Sequence, residues 1–539
     1  MKGVFTVEVA WWQKEVIYQI LTRSFMDSND NGIGDINGIR ARLNYIKDLG
    51  VGAISLSPFF STTFYDSGYD VVDFKEVDNK LGNLESFDAL LDDLHKLGLR
   101  LIIDMPVDFT SIEHPWFKES CSSKDNVRSD YYIWSDEIPN NWLSKYSGKA
   151  WSFNKERGQY YMHSFFKEEP DLNWRSEAVI DEFLSIFRFW FDRGVDGINA
   201  NAINLIVKDK NLRDNPRYPG FRKSYHTQRH IFDRNRPYSH RRAKSLRAIC
   251  NEYENQDKIL LGEIIVEQPG EPELAASYYG GAQKDELNLV FDYTFVNIPF
   301  KPKTWVDAAQ RWYDATDVCW PCWILSNQFK PRIRTRFNGN IDQSRLAAMF
   351  LLTQKGTPFI YYGEELGMED SSVSRNRAVD IIGRKHMFSS RGRDGARSPM
   401  LWTLEKNAGF SKVTPYLPLA NKEENSVEVQ KNKTNSLYSS YKKFIELRKT
   451  HETLITGDIT IIDVHDDNLI CYLRTSEDEA LLVILNFTKH KRKIKLSEIG
   501  LPLQADNLIF STNIVKKPTL DKYVIILDNF EGAIYSLDL

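Results

Sequence analysis

The chain is predicted to fold as an α/β protein, a (β/α)8 TIM barrel with a subdomain inserted after strand three and a C-terminal antiparallel β-sandwich domain. Three observations predict it. β-like runs recur eight times with helical patterns between them. A stretch rich in Trp, Tyr, Asn and Ser, with no clean helix, interrupts the alternation at 105–173. From 456 to 539 the pattern becomes short alternating strands and turns. The barrel is therefore expected over 1–104 and 174–455.

The eight runs are Val16–Ile20, Gly52–Ser57, Arg100–Val107, Gly197–Ile203, Ile259–Val266, Leu289–Val296, Cys322–Gln328 and Thr357–Tyr362. Over Asn83–Gly98 the apolar residues Leu84, Phe87, Leu91, Leu94 and Leu97 repeat at helical spacing, and Gly98 suits the end of the helix. Over Ser176–Gly194 the apolar face is Val179, Phe183, Ile186, Phe187 and Trp190, with Ser176 as N-cap. The C-terminal runs are Ile459–Val464, Leu469–Leu473, Ala480–Asn486, Arg492–Leu496 and Tyr523–Leu527. In barrels of this kind the chemistry collects at the C-terminal ends of the strands.

Composition narrows the partners. The 539 residues are 42% hydrophobic and 27% charged with a net charge of -4, which gives no reason to invoke nucleic acid or a membrane. No apolar run approaches the roughly 18 residues of a membrane span. The N-terminus lacks the apolar core of a signal peptide, and five cysteines favour a reducing, cytoplasmic setting. Cys319-Trp-Pro-Cys322 has redox-motif spacing without a thioredoxin-like context, so no role is assigned to it.

A set of strings then carries a resemblance. They are Val16-Ile17-Tyr18-Gln19-Ile20, Gly68-Tyr69-Asp70, Pro170-Asp171-Leu172-Asn173, Gly194-Val195-Asp196-Gly197, Gly262-Glu263, Gly356-Thr357-Pro358-Phe359-Ile360-Tyr361, Gly363-Glu364-Glu365-Leu366-Gly367 and Arg393-Asp394-Gly395-Ala396-Arg397. Together, and in order, they resemble the α-amylase superfamily of glycoside hydrolases, in its α-glucosidase and oligo-1,6-glucosidase branch. The resemblance implies a barrel, an insertion after strand three, a C-terminal β domain and a retaining two-carboxylate mechanism.

Six positions depart from that pattern, and four of them, Asn199, Asn201, Gln328 and Phe329, decide the reading. Where the relatives carry a nucleophilic Asp at the end of strand four, this chain has Asn201, and where they carry the Arg that orients it, Asn199. The Asn-His-Asp of strand seven is replaced by Asn327-Gln328-Phe329. On strand three, Asp108 and Phe109 stand where the relatives carry Asn and His. An amide is a poor nucleophile, and Phe329 cannot accept a sugar hydroxyl. Glu263 keeps the acid/base position. The resulting expectation is a catalytically inactive α-glucosidase homologue that binds carbohydrate or a protein. The alternative is an active α-glucosidase or transglycosidase of altered mechanism on small α-glucosides, with Glu263 as acid/base and Asp108 as a displaced carboxylate. By resemblance Tyr69, Asp70 and Arg397 hold the terminal glucose. Asp70, Arg397 and Glu263 equally suit a buried ion-pair network, and Phe109 and Phe329 are bulky enough to fill the pocket.

Two further segments stand out. Asp27, Asn29, Asn31 and Asp35, with the Ile33 carbonyl and Gly32 for the turn, place oxygens at alternating positions and suit one structural Ca²⁺; no organic cofactor is expected. The stretch 222–247 carries Arg222, Arg229, Arg234, Arg236, Arg241 and Arg242 and suits either a docking surface for an acidic protein partner or a solvated helix face. Lys489–Lys495 reads as a charged strand face.

Overall fold

The computed structural model describes residues 9–220, 224–253, 256–265, 272–291, 293–315, 320–385, 392–499, 507–513, 518–521 and 523–537. Eight parallel strands close into a barrel: β1 (Ile17–Ile20), β2 (Ala53–Leu56), β3 (Arg100–Pro106), β4 (Gly197–Asn201), β5 (Ile259–Glu263), β6 (Leu289–Phe291), β7 (Cys322–Ile324) and β8 (Thr357–Tyr361). Each strand pairs with its sequence neighbours, and β8 closes onto β1 through Ile17↔Phe359 and Gln19↔Tyr361. Successive side chains of a strand point to opposite faces, so each strand divides its apolar residues between two cores. Ile17, Ala53, Ile102, Ile259, Leu261, Leu289 and Phe359 pack inside the barrel. Tyr18, Ile54, Ile103, Ile198, Leu260 and Ile360 pack outward in the large core that also holds the helices.

The helix over Leu84–Lys96 is capped by the Asn83 side chain, which accepts from Ser86 N, and Gly98 follows it with φ +69°. The helix over Glu177–Asp192 buries Val179, Phe183, Ile186, Phe187 and Trp190. Ser176 occupies its N-cap position, but its side chain makes no cap hydrogen bond. Among the described residues no helix is long and apolar enough to cross a membrane.

After β3 the chain leaves the barrel and forms a small sheet from Trp134–Ser135, Gln159–Met162 and Trp151–Asn154. The C-terminal strands form a five-stranded and a three-stranded antiparallel sheet over a shared core that includes Leu482, Ile484, Ile494, Ile525 and Leu527. Three strands of this region, Leu508–Ser511, Thr519–Asp521 and Gly532–Leu537, are additional to those legible in the sequence. The Arg492–Lys495 strand buries Ile494 and exposes Lys493 and Lys495.

Candidate active site

The inward-facing residues of the barrel change character along each strand. On β3 the inward series runs Ile102 to Asp104, on β4 Gly197 to Asn199 to Asn201, and on β5 Ile259 and Leu261 to Glu263. Register places these polar ends side by side, with Asn199 opposite Asp104 and Asn201 opposite Pro106. Above them opens a cavity of about 410 Å³, within the range of small-ligand sites.

Tyr69, Phe109, Asn201, Glu263, Asn327 and Phe329 line this cavity. Phe109 packs edge-to-face on Phe165, with centroids 5.4 Å apart, and Phe329 tilts against Tyr69 at 5.5 Å. Both phenylalanines form walls and leave the cavity open, so they do not fill it. Two polar networks support its floor. In one, Asn199 Nδ2 donates to Asp104 Oδ1 (2.8 Å) and to Asn201 Oδ1 (3.3 Å). In the other, Gln328 donates from Nε2 to the Tyr69 hydroxyl (2.5 Å), and Arg397 Nε donates to the Gln328 carbonyl (3.0 Å). Four buried atoms of these networks, Asp104 Oδ2, Asn199 Oδ1, Gln328 Oε1 and Arg397 Nη2, have no hydrogen-bond partner in the protein. Buried polar atoms are nearly always paired; these four belong to residues behind the cavity lining, held to its lining residues Asn201 and Tyr69 by the two networks.

Glu263 accepts a hydrogen bond from the Tyr293 hydroxyl. Burial raises its carboxyl above the ordinary glutamate value, against the opposing pull of Tyr293 and Lys145. A group poised to hold a proton is what a general acid requires. Asp104 is a second titrating carboxyl beside it, pushed up to about 7 by burial and by the charge of Glu263, against the Asn199 and Ser55 hydrogen bonds.

Several expectations need correction. Asp108 is not a displaced catalytic carboxylate: it is fully buried against Lys208 (3.2 Å), which also pairs with Asp171 (2.9 Å). Burial, then Asp171, push its carboxyl up to about 7, against the pull of Lys208. Asp70, Arg397 and Glu263 form no ion-pair network. Asp70 accepts from Thr62 Oγ1 (2.9 Å), Thr63 N and Asp66 N (3.0 Å), and Arg397 donates to Ser67 Oγ (2.6 Å). The ion pairs of this corner belong to Arg393, which meets Asp66 (2.5 Å) and Asp380 (2.7 Å).

The basic stretch does not form one exposed face. Arg234 and Arg242 are buried, and Arg242 pairs with Glu177 (2.9 Å). Arg236 pairs with Asp209 (3.5 Å), Arg229 lies over the Tyr218 ring, and Arg241 is exposed over Tyr238. Arg222 and Cys319 lie outside the described residues; Cys121, Cys250 and Cys471 are free and buried, and Cys322 is buried.

In the loop before the helix over Ile36–Arg40, Asp27 and Asp35 are buried. Asp27 accepts from the backbone N–H of Asp30 (2.8 Å) and Gly32 (2.7 Å), and Asp35 from Ser28 and Gly38. Neither has a cationic partner among the described residues, whereas Asp30 pairs with Lys412 (3.0 Å). Asp27 and Asp35, beside Asn29 and Asn31, are the donors a Ca²⁺ at this loop would use; among the described residues no group of three or more His, Cys, Asp or Glu is placed to hold a metal ion. Gly32 holds the turn with φ +84°, and a Cβ there would sit 2.7 Å from the Thr414 carbonyl oxygen.

Comparison with known proteins decides the lineage. The alpha amylase catalytic domain matches residues 19–457. The chain belongs to the alpha-amylase family. It is 36% identical to a probable alpha-glucosidase of Rhizobium meliloti over 89% of both chains. It is 33% identical to an oligo-1,6-glucosidase of Parageobacillus thermoglucosidasius over 99% of this chain and all of that one. It superposes on the crystal structure of the alpha-glucosyl transfer enzyme XgtA with a TM-score of 0.92 and 33% identity, covering 98% of this chain and 100% of that one. This family member thus aligns almost end to end with glucosidases and a glucosyl-transfer enzyme. That finding overturns the expectation of an inactive homologue, which rested on Asn199, Asn201, Gln328 and Phe329 alone.

The sequence reading did not single out the buried carboxyl of Asp104, although it lies within the strand-three motif. It also missed Tyr293, Lys145 and Lys330 at the cavity. The inward alternation on β3, continued one step past Ile102, was the signal for Asp104. The other three sit in loops without a periodic pattern.

Proposed function

We propose that this chain is an active α-glucoside-processing enzyme, hydrolysing small α-glucosides or transferring their glucosyl unit, with Glu263 as acid and base. The observation that carries the reading is the open cavity in which buried Glu263, its carboxyl raised above the ordinary value, lines the wall together with Asn201. Glu263 protonates the glycosidic oxygen, the C1–O bond breaks, and the aglycone leaves as an alcohol. Asp104, held one side chain behind Asn201 by Asn199, supplies negative charge against the developing oxocarbenium ion. The Glu263 carboxylate then takes the proton of the entering water or sugar hydroxyl as its oxygen bonds to C1. No covalent glucosyl-enzyme forms, and the acceptor enters from the face the aglycone left.

The aromatic walls of Phe109, Phe165 and Phe329 favour a sugar acceptor over water, because they offer stacking surface and exclude solvent. The reading is tested by proton NMR of the first product from an α-glucoside. Retention of the α-anomer is expected, and a β-anomer would sink the scheme. A Ca²⁺ at Asp27, Asn29, Asn31, Ile33 and Asp35 belongs to the same proposal as a structural ion, far from the chemistry. A cytoplasmic setting belongs to it too, supported by the buried free cysteines.

A further inference from the structure

Glu263 is held by a single hydrogen bond. Its Oε1 accepts from the Tyr293 hydroxyl, and no other donor among the described residues reaches its carboxyl. A carboxyl anchored at neither oxygen turns freely about its last side-chain torsion, whose minima are broad. Its proton then has no fixed direction. A general acid must aim its proton at the leaving oxygen, so what fixes the carboxyl matters as much as what protonates it.

Tyr293 is itself firmly placed. Register sets Glu263, at the end of β5, opposite Phe291, at the end of β6. Tyr293 follows Phe291 by two residues and packs with it against the inner core of the barrel. The two rings lie nearly parallel, at 11° with centroids 6.4 Å apart, and Phe291 meets Phe359 edge-on at 4.5 Å. The Tyr293 carbonyl accepts from Asn297 Nδ2 (2.8 Å) across the helical turn over Thr294–Asn297. The residue is thus gripped at ring and backbone, and its hydroxyl is left for Glu263. Burial and then the Glu263 charge raise that hydroxyl well above the ordinary tyrosine value. It therefore remains a donor whether Glu263 is acid or carboxylate.

No neighbour duplicates this contact. The other titratable groups facing Glu263 are Tyr69 from the segment after β2, Asp104 from β3 and Lys145 from the inserted subdomain. The Tyr69 hydroxyl accepts from Gln328, and Asp104 accepts from Asn199. Lys145 acts on Glu263 through charge and makes no hydrogen bond with it. A charge at a distance does not select one carboxyl oxygen over the other.

We propose that Tyr293 is the positioning residue of the acid/base: by anchoring Glu263 Oε1 it keeps the exchangeable proton on Oε2, toward the leaving oxygen. The inference rests on the glucoside-processing reading above and adds a residue to its machinery. In the first step Oε2 gives its proton to the glycosidic oxygen. In the second it takes the proton of the entering water or sugar hydroxyl, with Oε1 held by Tyr293 throughout.

Tyr293→Phe in the full chain tests it, with an alkyl and a dinitrophenyl α-glucoside as substrates. An alkoxide needs a proton to leave; dinitrophenolate hardly does. The variant should lose about 10- to 100-fold in kcat/KM on the alkyl glucoside and less than about threefold on the dinitrophenyl one. Equal losses on both would make Tyr293 merely structural and overturn the proposal. The hydrogen bond also favours the carboxylate form, so its removal should move the alkaline limb of the kcat/KM profile up by about one pH unit. Fluorotyrosine in place of Tyr293 keeps the ring and is a stronger donor; it should fold normally and move the limb down. A limb unmoved by both replacements overturns the proposal. Infrared difference spectra across a pH titration read the same contact without turnover, with Glu263→Gln assigning the band. The protonated Glu263 band should move to higher wavenumber in Tyr293→Phe. A moved band in a chain that cleaves neither glucoside leaves the anchor standing and strikes only the enzymatic reading. Cleavage with an unmoved band strikes only the role of Tyr293.

Discussion

Arg474 joins the C-terminal domain to the barrel, beside Arg448 on the barrel side; Asp104, Asn199, Gln328 and Arg397 lie behind the cavity at the barrel mouth. Both groups are buried, and they are handled in opposite ways. Arg474 donates to the carbonyls of Thr353 (2.6 Å), Leu454 (2.8 Å), Gly457 (2.8 Å) and Asp458 (3.3 Å). Arg448 reaches the carbonyls of Leu352, Gln354, Leu454 and Gly356, leaving only Nε unpaired. Burial lowers the two guanidinium groups to about 9 and about 10, so both stay charged at neutral pH. At the mouth, each of the four residues keeps an atom without a partner. The joint uses its polar atoms to hold two domains together. The residues behind the mouth each leave a buried polar atom unpaired, and stability is lost there.

The sharpest way to break this comparison is Asp104→Asn. Turnover should fall on the order of 100-fold or more, because the charge facing the oxocarbenium ion is gone. Stability should move the other way. An unfolded Asp loses its proton near 3.8, whereas folded Asp104 keeps it to about 7. Between those values the folded chain binds the extra proton, so this group makes stability fall as pH rises through the window. By pH 8 the penalty is complete, on the order of 1–4 kcal/mol, and Asp104→Asn should lack that slope in urea unfolding measured from pH 4 to 8.

Arg474→Met probes the other side. It strands several buried carbonyls and should lower unfolding stability by about 2–4 kcal/mol, with turnover per folded molecule unchanged. A loss of activity at equal folded fraction would mean that the joint is not purely structural. Phe329→Ala enlarges the cavity and admits water, so the ratio of transfer to hydrolysis should drop about two- to fivefold in product analysis. The smallest effect is expected at Asp27 and Asp35: millimolar Ca²⁺ after EDTA treatment should raise the unfolding temperature by about 2 °C, and Asp27→Asn should abolish the shift.

The barrel was legible because its strands and helices each bury one face. That requirement writes periods of two and 3.6 into Ile17–Ile20 and Leu84–Lys96 alike. Three C-terminal strands were not legible: Leu508–Ser511 and Gly532–Leu537 gain their regularity from pairing with each other, and Thr519–Asp521 gains its own from Val524–Leu527, not from local pattern. At the site, Glu263 and Asn201 were placed by motif, and Tyr69 with them. Asp108 was misread because motif order says nothing of Lys208, 100 residues away, which claims its carboxylate. The inactive reading weighed the losses at Asn199, Asn201, Gln328 and Phe329 alone, and the near end-to-end likeness to glucosidases overturned it; Asp104, which Asn199 holds, was written in the inward alternation of β3 but not weighed with them.

The most direct test of the central claim is turnover of maltose, isomaltose and an aryl α-glucoside by the purified chain beside Glu263→Gln. The account predicts measurable turnover that falls about 10²- to 10⁴-fold in the variant. No turnover by the native chain, or equal rates in both proteins, would contradict it.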